Sequence, residues 1–137
     1  MNYLNPVYDK NLLMSVSTLG LAYVGDGVYE LLVRTWLLDH AHKAALDMHR
    51  LSVSLVNAGA QAQGYSAIEA LLTEEEAAVF RRGRNAKVNQ VPHHATAAEY
   101  HTATGLETLF GWLYLNGNQE RILELFAHVM EALDHDA

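Results

Sequence analysis

The sequence predicts an all-α protein, a single helical domain over residues 1–137. Three observations predict it. Apolar residues recur at helical spacing through most of the chain, while β-branched alternation is scarce. Only two prolines occur, Pro6 and Pro92, and each sits where a loop fits. Half of the 137 residues are hydrophobic, enough for one core without disulfide or metal staples.

The elements follow in order. The spacing predicts a first helix from Leu13 or Ser17 to Asp39, with a break near Gly20. A second begins near Lys43 and runs through "ALDMHRLSVSLVNAGAQAQGYSAIEALL", split around Gly59 or Gly64. Thr73 followed by Glu76 is a capping-box pattern, so a third helix starts there, carries an arginine cluster and frays before Pro92. "VNQVPHH" reads as a loop. The next helix covers Ala95 to Leu115 and ends at "NGN", a turn signal. The last starts near Gln119 and presents Ile122, Leu123, Phe126, Val129, Met130 and Leu133 to the core.

Composition narrows the functional classes. With no cysteine, neither disulfides nor thiolate metal sites can form. "MNYLNPVYDK" is mixed and polar rather than a basic-then-apolar leader. Charged residues break every apolar run short of the roughly 18 residues a membrane span needs. These features predict a cytoplasmic protein with no membrane association. A formal charge of −7 argues against a nucleic-acid partner when taken alone. Its distribution argues less strongly. Arg81, Arg82, Arg84 and Lys87 cluster, Glu99 is the lone acid between 83 and 106, and His93, His94 and His101 fall in that stretch.

Two segments carry the chemistry. In "LAYVGDGVYELLVRTWLL", residues 21–38, helical stacking four apart puts Ala22, Asp26 and Glu30 in one column that continues as Val33 and Leu37. Gly25 and Gly27 each cost about 1 kcal/mol relative to alanine inside a helix. Close approach of a second backbone is the usual compensation. In "ATGLETLFGWLYL", residues 103–115, Leu106, Leu109, Phe110 and Leu113 form a core stripe, and Ala103, Glu107 and Gly111 form the column beside it. Two helices crossing at their small residues would bring Asp26 and Glu107 together. Semi-buried carboxylates repel unless one is protonated or a cation lies between them. A hard divalent ion resolves the repulsion. Mg²⁺ is the natural candidate, because it takes few carboxylates, keeps waters and bridges to phosphate oxygens. Such an ion can polarise a phosphodiester and acidify a bound water. Plainer readings stand beside this one. Asp26 and Glu107 can be ordinary solvent-facing acids, and Glu30 can pair with Arg34 four residues on.

"YVGDGVYELLV" resembles the signature of the ribonuclease III family, in which a Leu-Gly-Asp core opens the main catalytic helix. "ATGLETLFGWLYLNG" resembles the family's second motif, a helix whose Glu precedes an apolar stretch ending in Tyr-Leu and a Gly-containing turn. "FRRGRNAKV" resembles a stretch of the short bacterial branch, Mini-ribonuclease III. The three motifs keep the family's order and spacing, and the match spans about residues 17–125. The resemblance implies an all-α endonuclease domain, a homodimer, Mg²⁺, and cleavage of double-stranded RNA to 5′-phosphate and 3′-hydroxyl ends. By position, Asp26 matches the signature Asp and Glu107 the metal-binding Glu of the second motif, with Glu30 a further candidate ligand. Tyr23 sits where the long enzymes place an aromatic at the dimer interface; a plain core aromatic is the alternative. Two acids of the long enzymes are absent, their positions being Ala22 and Thr104, as in the short branch with its reduced acid set. With no double-stranded RNA-binding domain expected after the catalytic one, Arg81, Arg82, Arg84, Lys87, His93 and His94 are the candidate RNA contacts. Within the branch the implied substrate is precursor large-subunit (23S) ribosomal RNA, and whether a ribosomal protein assists is left open. Two rivals remain. One is a non-catalytic helical dimer that binds RNA or ribosomal proteins. The other is a metal phosphohydrolase of small nucleotides, which would lack the usual Gly-rich phosphate loop.

Overall fold

The computed structural model describes residues 1–40, 45–87 and 95–134. Within them the chain forms seven α-helices and a 3₁₀ turn, with no strand: α1 (Lys10–Ser15), α2 (Thr18–His40), α3 (Ala45–Val56), α4 (Ala58–Ser66), the turn Glu69–Leu71, α5 (Glu74–Arg84), α6 (Ala97–Leu115) and α7 (Gln119–Asp134). Among these residues no helix is long and apolar enough to cross a membrane. The predicted loop "VNQVPHH", with His93 and His94, lies outside the described residues.

Caps decide most boundaries. The capping box at Thr73 and Glu76 opens α5 as expected, and a second one, Thr96 with Glu99, opens α6. The predicted break near Gly20 falls earlier. Val16 is extended, and Ser17 Oγ accepts the Gly20 amide at 3.0 Å, so α2 starts at Thr18 and runs unbroken through its glycines. The second predicted helix splits not at a glycine but at Asn57, whose side chain caps α4 by accepting from the Ala60 amide. Gly59 and Gly64 both lie inside α4. A Cβ on Gly64 would come within 2.6 Å of Val129, so glycine there lets α4 approach α7. After "NGN", Gly117 takes φ +77°, and the amides of Gly117 and Asn118 return to the carbonyls of Tyr114 and Leu113. This is the Schellman closure of a helix C-terminus, and it turns the chain directly into α7.

Helix α6 is the hub, packed against α2, α4, α5 and α7. Leu106, Leu109, Phe110 and Leu113 are fully buried and meet Tyr29, Val33 and Leu37 of α2. Tyr29 meets Phe110 and Phe126 edge-on at centroid distances of 5.7 and 6.0 Å. From α7 the core takes Ile122, Leu125, Phe126, Val129, Met130 and Leu133. Leu123, expected on that face, is exposed instead: it lies about 100° from Ile122 around the helix, and Leu125 holds the core position. A smaller cluster of Leu13, Leu21 and Leu115 anchors α1 and the N-terminal segment.

Candidate active site

The site is built where α2 crosses α6. A Cβ on Gly25 would stand 1.6 Å from the Glu107 carbonyl oxygen, and one on Gly111 would stand 1.9 Å from the Leu21 carbonyl oxygen. The two backbones therefore touch, and only glycine permits it at both positions. Gly27, expected to share this role, does not: nothing lies within 4 Å of where its Cβ would be. Two residues along a helix turn the side chain by about 200°, so Gly27 faces away from the contact that Gly25 makes.

The crossing brings Asp26 and Glu107 together. Asp26 is exposed and Glu107 half-buried, with their carboxyls close enough to share a hydrogen bond. The Glu107 carboxyl is pushed up to about 8, first by burial, then by the Asp26 charge, then by the hydrogen bond between the two acids. Gln61 of α4 pulls the other way, its Nε2 donating to Glu107 Oε2 at 3.3 Å. Tyr29 completes the buried side. Its hydroxyl donates to the Leu55 carbonyl at 3.3 Å, and burial, with the Glu107 charge second, holds that hydroxyl above the ordinary tyrosine range. Among the described residues no group of three or more His, Asp or Glu side chains gathers as a metal cage. The site is a carboxylate pair.

Other sequence candidates fall elsewhere. Glu30 pairs with Arg34 at 2.8 Å, the plainer of its two readings. Tyr23 is not a core aromatic; it is 83% exposed. Arg81, Arg82, Arg84 and Lys87 are all exposed, the arginines in the last turn of α5 and Lys87 just beyond it. Cations suit that end of a helix dipole. Arg82 donates to Thr18 Oγ1 at 3.1 Å, joining the cluster to the start of α2, and the Arg84 guanidinium lies 5.9 Å from the centre of the Phe80 ring.

Comparison with known proteins gives the family. Residues 19–118 match the family model described as the Ribonuclease III domain. The Mini-ribonuclease 3 of Thermoanaerobacter sp. (strain X514) is 42% identical over 125 residues, 89% of this chain and 88% of that protein. The Mini-ribonuclease 3 of Symbiobacterium thermophilum is 44% identical over 112 residues, 82% of this chain and 86% of that one. The chain belongs to the ribonuclease III family, in its Mini-ribonuclease III branch. An X-ray crystal structure of a protein from Fusobacterium nucleatum shares the fold, with a TM-score of 0.78 at 30% identity over 85% of this chain and 93% of that one.

As a member of the ribonuclease III family, the chain is an endoribonuclease acting on RNA. Its two departures from the acid set of the long ribonuclease III enzymes now have surroundings. Ala22 is buried, one residue from the Leu21 carbonyl that Gly111 meets. Thr104 is also buried, and its hydroxyl is spent on the Tyr100 carbonyl of its own helix, 3.0 Å away. Neither supplies a charge to replace the missing acid. Sequence reasoning missed Gln61 and Tyr29. Tyr29 lies on the apolar face of α2 with Val33 and Leu37, which spacing could have shown, whereas α4 carries no apolar stripe to mark Gln61 as buried. That Gln61 reaches Glu107, and that Tyr29 feels its charge, arises only when α2 and α4 pack on α6, and no spacing encodes it.

Proposed function

We propose that this ribonuclease cleaves double-stranded RNA as a Mg²⁺-dependent homodimer, with one Asp26/Glu107 site per subunit, leaving 5′-phosphate and 3′-hydroxyl ends. One observation carries the reading: two carboxyls meet at the helix crossing, and the groups that act on Glu107 are burial, Asp26 and the Gln61 amide, with no lysine or arginine among them. That donor set fits Mg²⁺, which is commonly held by one or two carboxylates with waters and phosphate oxygens filling the remaining positions. Asp26 and Glu107 would hold it, and when bound it would supply an acidified water and a Lewis acid for phosphodiester hydrolysis. Asp26, on the exposed side, presents its oxygens toward the substrate. Glu107, on the buried side, is held from behind by the Gln61 amide of α4.

Two surfaces support the rest. Leu19, Tyr23 and Leu31 are 50%, 83% and 61% exposed and stand four or eight residues apart on one face of α2, with the open Gly27 between the last two. An apolar stripe with a backbone gap suits a second copy of the same helix across a two-fold axis. The exposed cations at 81, 82, 84 and 87 suit duplex phosphates, because A-form RNA is read through its backbone and shape. Membership of the Mini-ribonuclease III branch makes the paired ends of precursor 23S ribosomal RNA the substrate we assign, in the cytoplasm.

The test is cleavage of labelled duplex RNA with Mg²⁺ and with chelator. The wild type should cut only with Mg²⁺. Asp26→Asn should cut about a hundredfold or more slowly while keeping its helical content. Normal cutting by the Asn variant would remove Asp26 from the site.

A further inference from the structure

Gln61 is 3% exposed, an amide buried among apolar neighbours on α4. Its Nε2 donates to the Val56 carbonyl at 2.9 Å and to Glu107 Oε2 at 3.3 Å. Its Oε1 is buried with no hydrogen-bond partner. The amide cannot be turned over to cure this. The Val56 carbonyl only accepts, so it demands the nitrogen, and the nitrogen's second hydrogen then faces Glu107. A residue that only packed here could be methionine or leucine, which fill similar volume and bring no buried unpartnered oxygen of their own. Glutamine therefore returns something that packing alone does not.

We propose that Gln61 is a positioning residue of the nuclease site: its Nε2 aims the Glu107 carboxylate at Asp26 from the buried side. The nitrogen end works through two fixed points. Val56 closes α3, and the Asn57 cap locks the turn into α4, so the donor is set by backbone rather than by a free side chain. The donor then selects one orientation of the Glu107 carboxyl, leaving the other oxygen for the neighbouring acid. The unpartnered oxygen is the cost of holding the nitrogen end in this place. Preorganised ligands bind an ion without first losing side-chain freedom, and supporting hydrogen bonds around ligands act in this way.

This proposal rests on the Asp26/Glu107 reading, and the experiment separates the two. Mn²⁺ binding to the RNA-free protein is followed by electron paramagnetic resonance at one pH, together with duplex cleavage and thermal melting without metal. Gln61→Met removes both polar ends at nearly constant volume, and Gln61→Leu repeats the test should methionine pack badly. The expected result is Mn²⁺ binding about tenfold weaker and kcat reduced by a similar factor. KM for RNA should not change, and the metal-free melting temperature should change little, the lost Val56 bond being offset by removal of the unpartnered buried oxygen. A structural role predicts the reverse: lower melting temperature with unchanged Mn²⁺ affinity, and that outcome overturns the proposal. Asp26→Asn serves as the control. If it binds Mn²⁺ like the wild type, the carboxylate-pair reading fails and Gln61 falls with it. If Asp26→Asn loses the ion and Gln61→Met keeps it, only the positioning role is lost.

Discussion

Glu76 and Glu107 are both drawn out of solvent in the same small fold, and they are treated in opposite ways. Glu76 is 4% exposed, yet both its oxygens are taken by Arg121, at 2.9 Å from Nε and 2.8 Å from Nη2. It also accepts the Thr73 amide as the return half of the capping box. Its carboxyl is accordingly held below the usual range, chiefly by the Arg121 hydrogen bonds, against the opposing effect of burial. Glu107 has no such partner. Burial comes first, a second acid comes next, and only an uncharged amide opposes them. The comparison teaches how a folded chain separates a structural acid from a functional one. The first has its charge answered by the protein itself. The second has a charge that the protein leaves to be answered from outside.

The largest expected effect tests that distinction directly. Asp26→Asn and Glu107→Gln should each lower duplex cleavage by about a hundredfold to a thousandfold, the scale of losing one charge-stabilising group at a reacting centre. Glu76→Gln, assayed below its melting temperature, should cut at the wild-type rate. If Glu76→Gln were as inactive as Glu107→Gln while still folded, the separation of roles would collapse.

Stability should answer in the reverse order. Glu76→Ala leaves the Arg121 guanidinium mostly buried, with only the Leu71 carbonyl and Glu124 to hold it. Removing one partner of a buried pair costs about 3 kcal/mol or more, read as a lower urea midpoint. Glu107→Gln should stabilise the metal-free protein at neutral and alkaline pH, because it removes a carboxylate that the fold resists charging.

The pH dependence sharpens this further. The Glu107 carboxyl is raised in the folded chain, so between the ordinary value near 4.5 and about 8 the native state binds more protons than the unfolded one. Metal-free stability should therefore fall as pH rises through that window, by at most about 1.4 kcal/mol per unit. Glu76 is lowered, so its contribution is present above the unfolded value and is lost as pH falls through the folded one. Urea unfolding from pH 5 to 8 should show the slope in the wild type and a flatter line in Glu107→Gln. Equal slopes would mean that Glu107 is charged throughout.

What the sequence made legible was whatever a local pattern encodes. The Thr73–Glu76 box, the "NGN" stop and most of the α7 stripe are properties of a few neighbouring residues, and each sits where its pattern put it. The Gly25/Gly111 contact was also legible, because small residues flanking an acid on two helices have few other uses. What escaped depends on how helices meet. Gly27 was grouped with Gly25 although a helix turns them to different sides. The Glu30–Arg34 pair, by contrast, was one of the two readings the spacing offered for Glu30. Gln61 has no pattern at all, since its meaning comes from α4 landing beside Glu107. Half of the candidate site was therefore readable as two acids, and the half that holds them was not.

The smallest expected effect concerns that misread glycine, and it carries the contrast between buried and open positions to the α2 surface. An added methyl at Gly25 would collide with the Glu107 carbonyl, whereas at Gly27 it meets nothing within the same chain. Gly27→Ala should therefore raise helix stability by about 1 kcal/mol in the isolated subunit. Between exposed Tyr23 and Leu31, however, the same methyl would fill the gap through which a second α2 can approach. Sedimentation equilibrium should then show a dimer about tenfold weaker, the equivalent of 1.4 kcal/mol, alongside a monomer that melts no lower. A dimer of unchanged affinity would place the two-fold axis away from the Leu19–Tyr23–Leu31 stripe, leaving that stripe without the partner assigned to it.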